Sequence, residues 1–318
     1  MRMLAMLAAA LVAASVQAQD YPTKPVRFIV PYPTGGLTDV LARVISERLG
    51  AALKQPVLVE NKPGAGTLLG AEMVARAPAD GYTLLMATST TLGISPAIYA
   101  KPAIDPVKDF VAISLVGSVN FFLVTSPGFG TKNVREFIDQ VKKNPGKFNY
   151  ASSGSGSPHH LFMEVLKKEQ GLQIEHVPYK GSALAVLDII AGKPEMMFLD
   201  FSIAVPHIKA GKIVALGTSA GKQSVLLPDV PPLSATLPGF DWQAWQGVVA
   251  TAGTPPAVVA RLNAEMQKFQ NTDEFRALMV KFGMEPWAPN TAADFAAIVK
   301  NDVGRWAGVV KAAGLKVD

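Results

Sequence analysis

The 318-residue sequence predicts an α/β protein of two lobes, each with a mainly parallel sheet flanked by helices. Short runs rich in β-branched residues alternate with longer amphipathic runs, which is the order of strands and covering helices in such folds. The strand candidates are apolar at nearly every position, as expected for parallel strands buried on both faces. The length also exceeds what one hydrophobic core usually serves, so two lobes are expected.

The first round of this alternation begins with an apolar strand at 26–31. The run that follows is predicted to be helical, because apolar side chains recur every three or four residues from Leu41 to Leu49. The same reasoning assigns the rest of the round: strand 57–60, helix 70–76 and strand 82–87. A long apolar run at 110–125 then pauses at Gly117, and we expect it to pass from one lobe into the other.

A second round follows that run. Its helix at 158–169 has a strong start, since Ser157 can cap it with a hydroxyl and Pro158 fits the first turn. The other elements of the round are strands 148–151, 174–178, 196–199 and 214–218 and helices 183–191 and 205–211. A proline-rich connection, a return strand and further helices complete the chain, at 228–239, 242–251, 255–269, 272–281 and 291–313. We expect residues 19–122 and 246–318 to form one lobe, and residues 123–245 the other.

The first residues predict export. Arg2 precedes an unbroken apolar run at 3–14, and small residues lead to a cleavage site after Ala18, so residues 1–18 are expected to be a signal peptide. The run is shorter than the roughly 20 residues of a membrane-spanning helix. No later run reaches that length without a charge, Gly or Pro, so we expect a soluble chain in the periplasm with no direct membrane anchor.

Composition excludes several classes of function. The chain has no cysteine, which excludes disulfides, thiolate metal sites, cysteine nucleophiles and a lipid-anchored cysteine. Its net charge of +5 is spread over scattered Lys and Arg residues. A nucleic-acid-binding protein concentrates such charge in a patch with aromatic residues, so no nucleic-acid partner is expected. The mild excess of positive charge favours attraction of anionic solutes.

Two strands end in loops that predict an anion site. The first loop, 32–36, reads Tyr-Pro-Thr-Gly-Gly, and the second, 152–157, reads Ser-Ser-Gly-Ser-Gly-Ser. A loop of this kind before a helix directs unpaired backbone N–H groups and the positive end of the helix dipole at one point. Either loop alone could be a structural turn that needs glycine for a positive φ, with Asp39 capping the next helix. The four hydroxyls of the second loop exceed what such a turn requires, so we expect them to cradle a carboxylate or phosphate.

Residues at the ends of other strands extend this set. Asp200 ends the strand at 196–199, and Tyr179 follows the strand at 174–178. Ligands bind at the carboxyl ends of strands in open α/β sheets, although Asp200 could equally serve as a cap. A third glycine-rich loop at 61–67 has the spacing GxGxxxG rather than GxGxxG, so a dinucleotide site is not expected.

No catalytic or metal-binding motif is found. A nucleophile elbow at Ser155 would need glycines two residues away on each side, where Ser153 and Ser157 stand. A phosphate-binding GxxxxGK[ST] motif is absent. His159 and His160 are adjacent and point about 100° apart on a helix, which is a poor arrangement for one metal ion. We therefore expect neither catalysis, nor a metal, nor a cofactor.

At these residues the chain resembles the extracytoplasmic substrate-binding proteins of tripartite tricarboxylate transporters, also called Bug proteins. The resemblance covers essentially the whole chain after the expected signal peptide. The motifs that carry it are PVRFIVPYPTGGLTDVLAR at 25–43, VENKPGAG at 59–66, PVKDFVAISLVG at 106–117, NYASSGSGSPHHL at 149–161, VPYKG at 177–181, PHIKAGKIVALGTSA at 206–220, LPDVPPL at 227–233 and GTPPAVVARLNAE at 253–265.

The resemblance implies a monomeric two-lobed periplasmic binding protein, with its ligand cleft between the lobes. It would close on a small carboxylate by hinge motion in 117–125 and 219–245 and deliver it to membrane permease subunits. In the family, loops of both lobes hold the ligand. On this chain the resemblance gives the following candidate ligand-binding residues: Tyr32, Thr34, Gly35, Gly36, Thr67, Ser89, Ser152, Ser153, Ser155, Gly156, Ser157, His160, Tyr179 and Asp200.

The sequence departs from the family pattern at two places. Thr67 stands where the family often has another glycine, so it could contribute a hydroxyl. Phe201-Ser202 replaces a more usual polar-then-apolar pair, which hints at a more apolar or aromatic ligand.

Two alternatives from other classes stay open. The first is an exported hydrolase or transferase that uses Ser155, His160 and Asp200, which would require His160 within hydrogen-bond distance of a serine and an acid behind it. The second is a sensory subunit that presents its ligand-bound state to a signalling partner. The sequence does not separate that role from transport.

Overall fold

A computed structural model describes residues 21–288 and 290–316, so the expected signal peptide at 1–18 lies outside the described residues. The strands are β1 (Val26–Val30), β2 (Val57–Asn61), β3 (Thr83–Thr88), β4 (Phe110–Val119), β5 (Phe121–Thr125), β6 (Asn149–Ser152), β7 (Glu175–Pro178), β8 (Met196–Asp200), β9 (Val214–Thr218), β10 (Ala244–Thr251) and β11 (Met284–Pro286). The α-helices are α1 (Leu37–Leu53), α2 (Leu68–Ala75), α3 (Ser95–Ile98), α4 (Val134–Lys143), α5 (Pro158–Gln170), α6 (Ser182–Ala191), α7 (Phe201–Lys209), α8 (Pro256–Gln270), α9 (Asp273–Lys281) and α10 (Ala292–Ala312).

These strands form two sheets, one in each lobe. The first has the order β11-β4-β10-β3-β1-β2, and the second has the order β7-β6-β8-β5-β9. In the first sheet β1 to β4 run in one direction, while β10 and β11 run against them. In the second sheet β5 alone is antiparallel to its neighbours. The predicted α/β class with mainly parallel sheets is therefore confirmed.

The reversed strands inside the sheets follow from the path of the chain. The predicted run 110–125 is two strands, β4 in the first sheet and β5 in the second, separated at Asn120. The chain returns to the first sheet through β10. β5 and β10 are the strands by which the chain changes lobes, and each runs against the direction of both its neighbours in the sheet that it joins. The expected lobe limits, 19–122 with 246–318 and 123–245, stay a prediction.

Each sheet is covered by helices on both faces. One face of the first sheet packs on α1, α8 and α9, and the other on α2 and the start of α10. One face of the second sheet packs on α4 and α5, and the other on α6 and α7. Central strands such as β3 and β5 are buried at every position, which explains their continuous apolar runs, whereas the edge strands β2 and β7 are mostly not buried.

Helix α10 spans both lobes. Near its start Phe295 and Val299 belong to the core of the first lobe. Near its end Trp306 and Val310 belong to the core of the second lobe, where the Trp306 ring stacks on Phe162 with centroids 5.9 Å apart. None of the described helices is both long and apolar enough to cross a lipid bilayer.

One helix of 10 residues, α4, was not predicted from the sequence. Helix α4 buries Val134, Phe137, Ile138 and Val141, which have the spacing of one helical face. Its start is capped by Asn133, whose side chain accepts a hydrogen bond from the Glu136 N–H. Both signals are present in the sequence and would have identified the helix.

Candidate functional site

Six chain segments lie at the carboxyl ends of parallel strands, three in each sheet. In the first sheet β1 pairs in parallel with both β2 and β3, so the segments after these strands share one edge. In the second sheet β6 pairs in parallel with β7 and β8, and the segments after them share another edge. The predicted site residues all lie at these two edges, which are the ligand-binding edges of open α/β sheets.

The short helix α3 joins the two edges. Ser95 at its start donates a hydrogen bond of 2.6 Å from Oγ to the carbonyl of Gly66, in the loop after β2. Ile98 at its end lies against Gly156 of the second lobe, where an added Cβ would be 2.7 Å from Ile98 Cδ1. The edges of the two sheets therefore meet across α3.

The first loop, 32–36, is organised by a buried carboxylate. Asp39 accepts hydrogen bonds of 2.9 Å from the Gly35 N–H and from Asn61 Nδ2, and it pairs with Arg43 at 3.0 Å. Burial alone would raise the pKa of Asp39, but the hydrogen bonds from Arg43, the Gly35 N–H and Asn61 lower it below its usual range. Asp39 thus shapes the loop and occupies the N–H of Gly35.

Further backbone donors of this loop remain at the start of α1. The first hydrogen bond of that helix runs from the Val40 N–H to the Gly36 carbonyl. The N–H groups before Val40 therefore have no partner within the helix. Thr34 and Gly36 are exposed, so the Thr34 hydroxyl faces solvent at the edge of the sheet, whereas Thr38 and Asp39 in the first turn of α1 are buried.

Three further candidate residues of the first lobe differ in their hydrogen bonding. The Tyr32 hydroxyl lies 2.9 Å from Thr88 Oγ1, so it is engaged inside the lobe, and burial raises its pKa. The hydroxyls of Thr67 and Ser89 are buried and have no hydrogen-bond partner among the described residues. A buried hydroxyl without a partner is costly, so both can accept or donate to a bound group at a gain in free energy.

The second loop, 152–157, uses most of its polar groups to hold itself together. Ser152 Oγ lies 2.7 Å from His176 Nε2, and Ser157 Oγ donates to the Gly154 carbonyl at 2.6 Å. The Gly156 N–H donates to His160 Nδ1 at 3.0 Å. Ser155 is exposed, and its hydroxyl has no partner among the described residues. The expectation that a turn has no need of so many hydroxyls is therefore wrong, since several of them build this turn.

His160, in the first turn of α5, stabilises the second loop through a hydrogen bond with its backbone. Its ring is buried and stacks on His176 with centroids 3.9 Å apart. Burial, together with the neighbouring His176, lowers the pKa of His160 to about 4. The ring is therefore neutral near pH 7, and its Nδ1 accepts the Gly156 N–H.

The alternative catalytic set Ser155, His160 and Asp200 is not formed, because His160 is occupied by Gly156 and His176. The adjacent His159 makes the contacts instead. Its Nδ1 lies 2.8 Å from Ser153 Oγ, and its Nε2 lies 3.3 Å from Asp200 Oδ2. The divergence of neighbouring side chains on a helix, which argued against a metal site, sends the two rings to different partners.

Asp200 is the centre of a hydroxyl cluster. Oδ2 also accepts from Ser182 at 2.9 Å, and Oδ1 accepts from Ser202 at 2.8 Å. Burial alone would raise the pKa of Asp200, but the hydrogen bonds from His159, Ser202 and Ser182 lower it below its usual range. The sequence analysis missed Ser182, which lies 18 residues before Asp200 and becomes its neighbour through the parallel strands.

The candidate Tyr179 and the neighbouring Phe201 both make structural contacts. The Tyr179 hydroxyl donates to Asp188 at 2.7 Å, and burial together with Asp188 raises its pKa to about 12. Phe201 is buried in the core of the second lobe, with its ring 5.7 Å from that of Phe122. The hint of a more apolar ligand drawn from Phe201 is therefore not supported, because this ring is used in packing.

One buried carboxylate holds the chain segments that connect the two lobes. Glu285 of β11 accepts hydrogen bonds at Oε1 from Asn120 Nδ2 at 3.2 Å, from Ser224 Oγ at 2.6 Å and from the Val225 N–H at 3.0 Å. Asn120 separates β4 from β5, and Ser224 follows β9, so Glu285 ties both connecting segments to the first lobe. Across residues 21–288 and 290–316, no three His, Asp or Glu side chains are grouped so as to hold a metal ion.

Comparisons with known proteins agree on one group of relatives. A family model described as tripartite tricarboxylate transporter family receptor matches residues 41–315. BugT of Bordetella pertussis is 34% identical over 320 residues, which cover 98% of this chain and 96% of that protein.

Solved structures give the same answer. An R. palustris protein with adipate has a TM-score of 0.79 at 30% identity, covering 93% of this chain and 99% of that one. MatC from Rhodopseudomonas palustris with bound malate has a TM-score of 0.75 at 32% identity, covering 91% of this chain and 100% of that one.

Proposed function

The chain belongs to the tripartite tricarboxylate transporter receptor family, and from that membership we propose that it captures a small carboxylate between its two lobes in the periplasm. The signal peptide at 1–18, cleaved after Ala18, belongs to the same proposal. The receptor family is a family of solute-binding proteins, and we propose that this member likewise binds its ligand without converting it.

The observation that carries the proposal is the meeting of two donor-rich edges across α3. The first edge offers the exposed loop residues Thr34 and Gly36, the N-terminus of α1 and the buried hydroxyls of Thr67 and Ser89. The second edge offers the exposed hydroxyl of Ser155. Hydrogen bonds from such donors to an ionised carboxylate are stronger than neutral ones. Helix N-termini add a favourable dipole for an anion.

Dicarboxylates are the proposed ligand class. Two structural neighbours hold adipate and malate, which both carry two carboxylates. A ligand with two anionic ends could engage the first edge with one carboxylate and the second edge with the other. Closure of the lobes about the connecting segments at Asn120 and Ser224 would then enclose it.

A thermal-shift screen tests the proposal. Monocarboxylates, dicarboxylates, tricarboxylates, aromatic acids and amino acids are each added to the purified chain. Ligand at 100 times its Kd stabilises a protein by about 2.7 kcal/mol, so a dicarboxylate should raise the Tm by several degrees in a concentration-dependent way. No shift with any class would contradict the proposal.

Matched variants locate the binding. Thr34→Ala and Ser155→Ala each remove an exposed hydroxyl from one edge and should weaken the binding of the best dicarboxylate several-fold. Thr236→Ala, outside both edges, is the control and should bind as the original chain does. Equal affinity in all three variants would place the ligand elsewhere.

We further propose delivery to the membrane permease subunits of a tripartite tricarboxylate transporter, as the family description implies. Uptake of the labelled ligand by cells that carry the permease should require this protein. If cells that lack this protein take up the ligand normally but lose their transcriptional response to it, the sensory alternative is favoured instead.

A hydrolase is the second candidate, because a serine, a histidine and an acid lie in one hydrogen-bonded series at Ser153, His159 and Asp200. In serine hydrolases the serine contacts Nε2 and the acid contacts Nδ1, whereas here the two ring nitrogens have exchanged partners. Hydrolysis of p-nitrophenyl acetate distinguishes the candidates. We expect no release of p-nitrophenol above that of Ser153→Ala, and a burst that Ser153→Ala abolishes would favour the hydrolase.

A further inference from the structure

Three side chains form a hydrogen-bonded relay at the edge of the second sheet: Ser153, His159 and Asp200. Ser153 Oγ lies 2.8 Å from His159 Nδ1, and His159 Nε2 lies 3.3 Å from Asp200 Oδ2. The ring also packs edge-to-face on Phe121, at a centroid distance of 5.0 Å. Asp200 on β8 is a titratable group that faces His159 from another element, while His160 on the same helix faces His176.

The chemistry of the partners fixes the proton positions in this relay. Hydrogen bonds from His159, Ser202 and Ser182 overcome the effect of burial and lower the pKa of Asp200, so it is a carboxylate near pH 7 and can only accept. His159 Nε2 must therefore carry a hydrogen. In the neutral ring Nδ1 then has a lone pair, and it accepts the hydroxyl proton of Ser153.

This arrangement determines what Ser153 can offer to a ligand. Ser153 is partly exposed, but its one proton is directed at His159. Its oxygen then presents only lone pairs, which a ligand carboxylate cannot use because it also has only acceptors. A second proton on the ring, at Nδ1, reverses the direction of the hydrogen bond between Ser153 and His159. Nδ1–H then donates to Ser153 Oγ, and the hydroxyl proton is free to point outward.

We propose that His159 is a positioning residue that couples carboxylate capture to the uptake of a proton: its protonation turns the Ser153 hydroxyl from a donor to the ring into a donor to the ligand. This inference rests on the proposed function, because it assigns a role within the same site. Asp200 compensates the charge of the imidazolium, so the proton can be accommodated next to the second lobe's core. The affinity for a carboxylate therefore rises as the pH falls.

Isothermal titration calorimetry with malate and with adipate tests the coupling. Titrations near pH 7.5 in buffers of different ionisation enthalpy measure the protons taken up on binding, at a pH where an ordinary imidazole is mostly neutral. We expect an uptake approaching one proton per ligand. The same titrations at several pH values should show an affinity that falls as the pH rises.

Variants separate positioning from simple stabilisation. His159→Gln and Ser153→Ala should abolish the proton uptake and flatten the pH profile of the affinity. Ser155→Ala should weaken binding but keep the pH dependence, since its hydroxyl does not contact His159. His207→Gln, on α7 away from the relay, is the control and should leave both affinity and proton uptake unchanged. Binding by the original chain with no proton exchange would overturn the inference and leave the proposed function intact.

A ligand-free measurement covers the case in which no carboxylate binds at any pH, which is failure of the proposed function. Nitrogen-15 NMR of the histidine rings reports which nitrogen carries the proton. The relay requires the Nε2–H form in the neutral His159 ring and protonation of both nitrogens when the pH is lowered. An Nδ1–H form in the neutral ring, or a ring that never takes a second proton between about pH 8 and 5, would overturn the inference by itself.

Discussion

The buried ring of His160 makes the stability of the protein depend on pH. Its pKa is lowered to about 4 by burial and by His176, whose own pKa is also lowered by burial. The pKa of an unfolded histidine is about 6.5, so the unfolded chain binds more protons than the folded chain between these two values. Stability must therefore decrease as the pH falls from about 6.5 to about 4.

We predict that His160 contributes a loss of about 2 kcal/mol to the free energy of unfolding when the pH is lowered from about 6.5 to about 4, after an allowance for partial solvent screening. Urea unfolding at several pH values measures it. His160→Gln should lose a clearly smaller amount over that range, because one titrating ring is removed. His207→Gln should retain the full dependence. A pH dependence unchanged in His160→Gln would contradict the assignment.

At the scale of elements, the short helix α3 sets how closely the two donor loops approach. Gly156 has a φ of +77°, a conformation that L side chains rarely adopt, and an added Cβ would be 2.7 Å from Ile98 Cδ1. Glycine is therefore required here both for the backbone and for the contact between the lobes. Ser95 fixes the other side of α3 through the Gly66 carbonyl, so the helix is anchored on the first lobe.

We predict that Gly156→Ala weakens the binding of the best dicarboxylate by about tenfold, because strain and the clash with Ile98 together displace the second loop. Gly171→Ala is the matched control, since Gly171 has a φ of +64° and nothing within 4 Å of an added Cβ. It should lose about 1–2 kcal/mol of stability without loss of affinity.

The double variant Gly156→Ala, Ile98→Ala tests the clash itself. Removal of the Ile98 side chain beyond Cβ should restore part of the lost affinity. Calorimetric titration compares the three variants with the original chain. Equal affinity losses in Gly156→Ala and in the double variant would show that backbone strain alone is responsible.

At the scale of the whole molecule, α10 and Glu285 connect the two lobes. Trp306 is 1% exposed, and its ring packs on Phe162 and on Trp242, whereas the start of the same helix packs in the first lobe. Glu285 holds Asn120 and Ser224 at the passage between the sheets. The proposed closure of the lobes would therefore pivot about these contacts and leave them largely intact.

We predict that Trp306→Ala destabilises the protein by about 3–5 kcal/mol, since it removes a buried aromatic side chain from the interface of α10 with the second lobe. Guanidinium unfolding followed by circular dichroism measures the change. The second lobe should be affected most, so the single transition should broaden or divide. Leu184→Ala, at a side chain that is 55% exposed, is the control and should change stability by less than about 0.5 kcal/mol.

A loss below about 1 kcal/mol in Trp306→Ala would contradict the bridging role of α10. The same result would remove the reason for placing the pivot of lobe closure at α10 and Glu285.

The fold was largely readable from the sequence. Strands such as Val26–Val30 and Met196–Asp200 are apolar at four of five positions, and the helix from Pro158 to Gln170 carries its own start signals. These signals are local, so they can be recognised in the sequence without knowledge of the tertiary structure. The division of the run 110–125 at Asn120 was less readable, because it depends on which sheet each half joins.

By itself the sequence determined the α/β class and the position of the donor-rich loops at strand ends, since both follow from local periodicity and loop chemistry. Only the tertiary structure decided which polar groups are already used. It directs the Gly35 N–H to Asp39, the Gly156 N–H to His160, and the His159 ring to Asp200, which lies 41 residues away along the chain. The physical reason is that a hydrogen bond depends on distance and direction in space, and parallel strands bring together residues that the order of the chain keeps apart.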